Sequence, residues 1–169
     1  MRGEEGGRRK EEMRIKHLVI VRLLSRQMSV SGILDDKMID YRLNLITSNL
    51  IPSLNNQTCL DFEFVVLVNP KLSQTQRNHI EDTIMDAHPM YLFTFLPDNG
   101  QYVDYVKNLW RQYDILVLSR IDDDDFVRKN VVRQAREISK LNLFNAAVCG
   151  YNHGYMYLNG KGSVVPVKF

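Results

Sequence analysis

Short apolar runs alternate with segments of helical periodicity along most of this chain. Four apolar runs predict strands at Leu18–Val21, Phe62–Val68, Tyr91–Leu96 and Ile115–Leu118. The apolar faces of the intervening helices are predicted at Ile39, Leu43, Ile46 and Leu50, ending near Pro52; at Ile80 and Ile84, after a Ser73–Gln76 capping box; and at Val103, Val106, Trp110 and Tyr113. Near-continuous apolar strands that alternate with helices indicate an α/β fold, in which a mainly parallel sheet carries helices on both faces.

The pattern changes after Lys140. Residues 151–157 alternate in character, Asn159 and Gly160 form a turn signal, and the segment from Ser163 to Phe169 is extended again. An Asn-Gly pair between such segments is typical of a two-residue hairpin turn. We therefore expect a C-terminal antiparallel hairpin that joins the parallel sheet.

The first residues, 1–16, are charged, rich in glycine and almost without apolar side chains, so we expect a disordered tail ahead of one domain over residues 17–169. The net charge of +2 gives no reason to expect nucleic acid as a partner. No stretch predicts a transmembrane segment or a signal peptide. Cys59 and Cys149 lack the spacing of a metal site and suit buried free thiols in a cytoplasmic protein.

Four consecutive carboxylates, Asp122–Asp125, follow Arg120 at the end of the fourth apolar run. Like charges packed this closely repel one another unless a cation lies among them. Carboxylate oxygens are the ligands that Mg²⁺ and Mn²⁺ prefer, and phosphate oxygens complete such sites. Ligands of open α/β sheets bind beyond the carboxyl ends of the strands. The run therefore predicts a metal or phosphate site.

Helix capping is the alternative explanation for these aspartates. Asp is favoured at the N-cap and in the first turn of a helix. The spacing of Val127, Val131, Ala135 and Ile138 predicts a helix that starts at this point. Capping accounts for one or two of the carboxylates, whereas a run of four exceeds what it needs.

Several short segments, in the same order, resemble a rhamnosyltransferase family among the GT-A type glycosyltransferases, the class with an Asp-x-Asp motif. They are His17–Arg22, Tyr41-Arg42, Pro52–Leu54, Gln57-Thr58, Asp61–Leu67 and, most specifically, Ser119–Asp125, which matches an Arg-hydrophobic-Asp-x-Asp-Asp motif. The resemblance covers residues 16–169 and implies a Rossmann-like sheet of GT-A type.

The family implies transfer of a sugar, such as rhamnose, from a nucleotide-diphosphate donor to a glycan or other hydroxyl acceptor. It implies Mn²⁺ or Mg²⁺ between the diphosphate and an aspartate, since the departing nucleoside diphosphate needs a Lewis acid. By this resemblance Asp124 is the first metal ligand, and Asp125 holds the metal or its waters. Asp122 meets ribose or sugar hydroxyls, and Asp123 occupies the variable position.

Four other residues have both a binding and a structural interpretation. Arg22, at the end of the first strand, would face the donor's nucleotide or lie at the surface. Asp98 is placed where this fold often contacts the base, but turn chemistry explains Pro97–Gly100 equally well. Arg120 would bind the donor or balance the aspartates. Arg42 is interpreted as a solvated helix residue in preference to a partner of the aspartates.

The catalytic base is unknown from the sequence. His153 is a weak candidate, because a lone His among tyrosines is more often structural. After Asp125 the only acidic residue is Glu137, which is predicted to lie on a helix. The acceptor half therefore looks reduced, as expected for a C-terminally truncated enzyme, a minimal variant, or a protein completed by a partner domain.

Together these observations predict a metal-dependent glycosyltransferase. The alternative is a non-catalytic sugar-nucleotide-binding domain, which an assay of product formation would distinguish. A phosphatase with an Asp nucleophile is disfavoured, because its motif would follow the first strand. An EF-hand is excluded, because the required Gly and Glu are missing after Asp125.

Overall fold

A computed structural model of the chain describes residues 13–24, 35–87, 89–141, 153–158 and 163–168. Residues 1–12 of the predicted tail, Cys149 and the turn at Asn159 and Gly160 lie outside these ranges. The elements are β1 (Ile15–Leu23), α1 (Asp36–Leu45), a π-helical turn (Ile46–Leu50), α2 (Ile51–Asn55), β2 (Glu63–Val68), α3 (Gln74–Asp86), β3 (Leu92–Pro97), α4 (Gly100–Trp110), β4 (Ile115–Ile121), α5 (Val131–Leu141), β5 (His153–Leu158) and β6 (Ser163–Lys168).

Four strands form a parallel sheet in the order β3-β2-β1-β4. Val19 of β1 pairs with Phe64 of β2 on one side and with Ser119 of β4 on the other. The strand β2 is buried along its whole length, as expected where helices cover both faces of a sheet. The predicted α/β fold is thus confirmed. The predicted hairpin forms from β5 and β6, but it makes a two-stranded sheet of its own.

Different helices pack on the two faces of the parallel sheet. The larger core lies on the face covered by α1, α2, α3 and α5, whereas α4 packs on the opposite face, with side chains from Tyr102, Tyr105, Val106 and Leu109. The chain runs from β1 to β2 to β3 in one direction and then returns past β1 to β4. Right-handed crossovers require the helix to change faces at such a reversal. The reversal makes the boundary between β1 and β4 a topological switch point.

The buried face predicted for α4 is only partly right: Val106 packs against the sheet, but two other members of the predicted set do not. Val103 and Trp110 are 47% and 60% exposed, whereas Tyr105 packs against the sheet. The Tyr105 hydroxyl donates a hydrogen bond to the buried carboxylate of Glu63, which also pairs with Lys16 at 2.7 Å. A tyrosine can bury its ring while its hydroxyl reaches a polar partner, so Glu63 helps to select this face of the helix.

Two helix boundaries are shifted from those predicted. The helix expected to end near Pro52 continues to Asn55 after the π-helical turn at Ile46–Leu50. Proline removes a backbone donor and crowds the preceding turn, and a wider π turn accommodates both effects. The helix expected beside the aspartates begins only at Val131. Within the described ranges, no helix is both long enough and apolar enough to span a membrane.

The first strand begins earlier than the predicted domain boundary at residue 17. Ile15 and Lys16 belong to β1, and Lys16 is held there by its ion pair with Glu63. The backbone N–H of Arg14 donates to the carboxylate of Asp114 at 2.8 Å. The charges at the end of the expected tail therefore have partners in the folded domain.

The segment between β4 and α5 is held by the end of α2. The Gln57 side chain is buried, donates to the carbonyl of Arg128 at 2.8 Å and accepts from the N–H of Val132 at 3.2 Å. The Ser53 hydroxyl accepts from the N–H of Val127 at 3.2 Å. These bonds fix the backbone that leads away from the aspartates.

His17 is buried as a neutral imidazole on β1. Its Nε2 atom lies 2.8 Å from the Oγ atom of Ser119 on β4. Burial, and to a lesser extent the charge of Arg136, lowers the pKa of His17 from 6.5 to about 4. The folded protein therefore resists protonation at a site that the unfolded chain protonates readily.

Replacing Gln57 should weaken the fold. Gln57→Leu should lower the free energy of unfolding by about 1–3 kcal/mol, because the Val132 N–H and the Arg128 carbonyl lose a buried partner. Urea denaturation measures the difference. Gln74→Leu is the matched control, since the Gln74 amide bonds Asn78 at 2.7 Å on an exposed surface. The same loss in both variants would contradict a specific role for Gln57.

Stability should fall as the pH drops from 6.5 towards 4, because the unfolded chain then gains a proton at His17 that the folded protein does not. The contribution of neutral His17 is fully present above pH 6.5 and disappears near pH 4. Its full size is roughly 3 kcal/mol. Urea denaturation across this pH range should show a shallower dependence in His17→Gln. Parallel pH profiles for the two proteins would rule the explanation out.

Candidate functional site

The carboxyl ends of β1 and β4 bring Arg22 beside the predicted metal motif. Val21 pairs with Ile121, so Arg22 and Asp122 occupy the next positions of neighbouring strands. Adjacent strands lie about 4.8 Å apart. The topological switch point of the sheet therefore carries residues predicted to bind the donor from both strands.

The aspartates do not cap a helix. β4 ends at Ile121 and α5 begins at Val131, more than two helical turns further along the chain. Asp122–Asp125, the aspartate loop, form a turn in which the Asp125 N–H donates to the Asp122 carbonyl at 3.2 Å. The Asp125 carboxylate accepts from the Asp122 N–H at 3.3 Å. The capping explanation for the run is therefore wrong.

Asp123 is the buried member of the aspartate loop. It is 6% exposed, and its Oδ1 atom accepts from the Nη1 atom of Arg42 at 2.8 Å. The same Nη1 atom lies 3.7 Å from the Oδ2 atom of Asp124. Arg42 has a side chain only 15% exposed, so its interpretation as a solvated helix residue is wrong. Among the described residues, Asp123 Oδ2 is buried without a hydrogen-bond partner.

The other three aspartates face solvent. The side chains of Asp122 and Asp124 are 61% and 57% exposed. Arg120 lies 3.4 Å from Asp122 and is itself 65% exposed, so this pair is a weak surface contact. Three carboxylates are therefore accessible at the edge where the sheet would receive a ligand.

The negative charges of the aspartate loop repel one another. Burial raises the pKa of Asp123; Arg42 counteracts this shift, and Asp124 adds to it. Desolvation likewise raises the pKa of Asp125, the backbone N–H of Asp122 opposes the shift, and the neighbouring carboxylates reinforce it. A raised carboxyl pKa means that the environment disfavours the negative charge, which a bound cation would relieve.

Arg22 and Asp98 meet across the end of β2. The Nε atom of Arg22 lies 3.6 Å from the Oδ2 atom of Asp98, and the Asp98 N–H donates to the carbonyl of Val68 at 2.7 Å. Tyr102 of α4 adjoins this pair: burial raises its pKa, with Arg22 opposing and Asp98 reinforcing the shift. Sequence patterning did not single out Tyr102, whose ring also belongs to the smaller core.

The backbone turns sharply directly after Arg22 and Leu23. Leu24 has φ of 58°, in the left-handed region that costs a residue with a side chain about 1–2 kcal/mol. Its side chain is 1% exposed in the larger core, and this burial opposes the cost. The end of β1 is therefore held in a conformation that the core must maintain.

The donor set suits a cation that is bound together with a phosphate ligand. Within the described part of the chain, no three His, Cys, Asp or Glu side chains are grouped so that they alone could hold a metal ion. Mg²⁺ sites of phosphate-binding enzymes commonly use one or two carboxylates, with phosphate oxygens and water completing the shell. The exposed carboxylates of Asp124 and Asp125 fit that type of site.

The predicted site residues lie in three pairs, and His153 lies apart from them in the sequence. Arg22 is brought together with Asp98, and Arg120 with Asp122. Asp124 and Asp125 share the loop, as its sequence requires. His153 begins β5, and its side chain lies outside the described part of the chain.

Arg42 was underestimated from the sequence, although a signal was present. A run of four acidic residues is stabilised by a neighbouring base, and the basic residues of α1 are Lys37 and Arg42. Arg42 is flanked in the sequence by Leu43, which is 2% exposed. Its position next to the buried stripe of the helix could have indicated a buried guanidinium.

Comparison with known proteins adds a family to this geometry. The family model described as "Putative rhamnosyl transferase" matches residues 23–168, from the end of β1 to the end of β6. Among curated proteins, none matches the chain in sequence. The family match includes the aspartate loop and extends over nearly the whole chain, so the chain belongs to this rhamnosyl transferase family.

Proposed function

We propose that this chain is a metal-dependent glycosyltransferase of GT-A type that moves a sugar, such as rhamnose, from a nucleoside diphosphate to a hydroxyl acceptor. The family supports a glycosyltransferase. The observation that carries the finer proposal is the aspartate loop beside Arg22 at the switch point between β1 and β4. Carboxylates for a cation and a guanidinium for a phosphate thus share one edge of the sheet.

A divalent cation, Mn²⁺ or Mg²⁺, would be held by Asp124 and Asp125 and by oxygens of the donor's diphosphate. When bound, it supplies a Lewis acid that neutralises the departing nucleoside diphosphate. The loop's own contribution is to keep these two carboxylates accessible and close together. Their mutual repulsion favours a doubly charged ligand over water.

Among the described residues, Arg22 and Arg120 are the groups that we assign to the anionic donor. Their side chains are 43% and 65% exposed, so both guanidinium groups can exchange water for phosphate oxygens. Arg22 lies 3.6 Å from Asp98, and Arg120 lies 3.4 Å from Asp122, so both ion pairs are weak contacts. Guanidinium groups bind phosphate by paired N–H donors, which orients the ligand as well as neutralising it.

Asp122 and Asp98 would bind the neutral parts of the donor. Both carboxylates can accept hydrogen bonds from the hydroxyls or ring N–H groups of a sugar nucleotide. Asp98 is the more enclosed, with a side chain 19% exposed, and Tyr102 lies beside it. We assign Asp98 to the nucleoside and Asp122 to ribose or sugar hydroxyls.

A sugar-nucleotide-binding domain that does not catalyse transfer is the second candidate. It is favoured by the position of Glu137, the last acidic residue of the sequence, which is 63% exposed on α5 and lies 3.9 Å from Arg133. No carboxylate after the loop is therefore placed as a general base in the described part of the chain. General base catalysis contributes about 10²–10⁴-fold, so its absence would be obvious in a transfer assay.

The decisive assay supplies nucleotide sugars, Mn²⁺ and a panel of glycan acceptors, and measures both transfer and donor hydrolysis. Sugar transfer that requires the metal supports the proposed glycosyltransferase. Metal-dependent binding without transfer supports the binding domain.

Neutralising Asp124 should weaken metal-dependent nucleotide binding. Calorimetry should show that UDP or dTDP binds more tightly with Mn²⁺ than without it, and that Asp124→Asn loses at least about tenfold of that affinity. The melting temperature should change little, because an exposed carboxylate at 3.7 Å from its partner contributes less than about 1 kcal/mol.

Asp104→Asn is the control for this substitution. Asp104 is also exposed and lies 3.9 Å from its partner, Lys107, but it is on α4. The control variant should bind nucleotide as the unmodified chain does. Equally strong binding with and without Mn²⁺ would overturn the proposed metal dependence.

A further inference from the structure

The contact between Arg42 and Asp123 joins two elements that are far apart in the sequence. Arg42 lies in the last turn of α1, and Asp123 lies in the aspartate loop after β4, 81 residues later. Their atoms approach to 2.8 Å, and their side chains are 15% and 8% exposed. The pair therefore connects α1 to the aspartate loop.

The helix that carries Arg42 is itself firmly held. Ile39 and Leu43 are buried in the larger core. On the outer side, Asp40 lies 2.8 Å from His79 of α3, and Asp36 accepts from Gln76 of α3 at 2.8 Å. The guanidinium of Arg42 is therefore presented from a packed helix.

Stability alone does not explain a buried pair of this kind. Removing two charges from water is costly, and apolar side chains of similar size often serve stability as well or better. Here one carboxylate oxygen, Asp123 Oδ2, is also buried without a hydrogen-bond partner among the described residues. The pair does fix the orientation of the Asp123 side chain within the run of four aspartates.

We propose that Arg42 is a positioning residue for the proposed metal site. By holding Asp123 inside the protein, it fixes the aspartate loop with Asp124 and Asp125 on the solvent side, where they can meet a cation and a diphosphate. Its second contact, at 3.7 Å from Asp124, is weaker and adds to this restraint. This inference rests on the proposed function, because it assigns Arg42 a role in that same site.

Electrostatics alone makes the opposite prediction. A positive charge beside carboxylates competes with a divalent cation, so removing the Arg42 charge would strengthen Mn²⁺ binding if the loop kept its shape. A positioning role predicts weaker binding, because the loop loses the contact that sets its geometry. The sign of the change therefore separates the two explanations.

The experiment titrates Mn²⁺ into the full chain at a saturating concentration of UDP and follows binding by calorimetry. Arg42→Gln should weaken the apparent Mn²⁺ affinity about 10- to 100-fold, the usual effect of losing a residue that orients a metal ligand. Arg42→Lys keeps the charge but lacks the planar fork of the guanidinium. It should therefore recover part of the loss, and far-ultraviolet circular dichroism should show that it is folded.

Arg136→Gln is the matched control. Arg136 has a side chain 16% exposed and pairs with Asp61 at 2.5 Å, but Asp61 precedes β2 and so lies at the amino end of the sheet. This variant should lower the melting temperature and leave the Mn²⁺ affinity unchanged. A loss of affinity that only followed the melting temperature in all variants would indicate a purely structural role for Arg42 and overturn the inference.

The remaining outcomes are also distinct. If the unmodified chain shows no Mn²⁺-dependent binding of UDP or dTDP, the proposed function fails and this inference fails with it. If the unmodified chain binds and Arg42→Gln binds equally or more tightly, the inference alone is wrong. If Arg42→Gln does not fold, Arg42→Lys decides: unchanged affinity overturns the positioning role, and a severalfold loss supports it.

Discussion

The ion pair between Arg42 and Asp123 is buried at the carboxyl edge of the sheet, and it holds the surrounding backbone in place. Residues 122–130 form turns and irregular backbone, so contacts with other segments set their shape together with the hydrogen bonds between Asp122 and Asp125. Arg42 holds the start of this segment, while Gln57 and Ser53, at the end of the same helical layer, hold its later part. Losing either partner of a buried pair leaves an uncompensated charge, which is far more costly than losing a surface contact.

The topology explains why this loop lies beside Arg22. The chain reverses its direction across the sheet between β3 and β4, so β4 pairs with β1 and the carboxyl ends of these two strands become neighbours. The same reversal moves α4 to the other face of the sheet, where Tyr102 adjoins Arg22 and Asp98. One edge of the sheet thereby receives acidic side chains on one side of β1 and an arginine–aspartate pair on the other. Neither arrangement follows from any single element.

The strands and the aspartate loop could be predicted because their signals are local. A buried parallel strand is apolar along most of its length, and β2 shows that pattern clearly from Phe64 to Val68. The part of the α4 face formed by Tyr105 could not be predicted, because the Tyr105 hydroxyl needs Glu63, whose own burial depends on Lys16 in another strand. The exposure predicted for Arg42 is wrong for a similar reason. Hydropathy favours an exposed guanidinium, whereas the burial of Arg42 depends on a carboxylate 81 residues away.

The charge of the aspartate loop opposes the stability of the folded domain. Arg42 neutralises Asp123 within the protein, but three further carboxylates remain at the same turn, and the pKa of Asp125 is raised by desolvation and by its neighbours. Side chains that repel one another in the native state but not in an extended chain lower the free energy of unfolding. A cation that binds only the native loop would restore that free energy by mass action. The repulsion within the loop therefore lowers the stability of the free domain, and binding of the proposed metal–diphosphate ligand would relieve it.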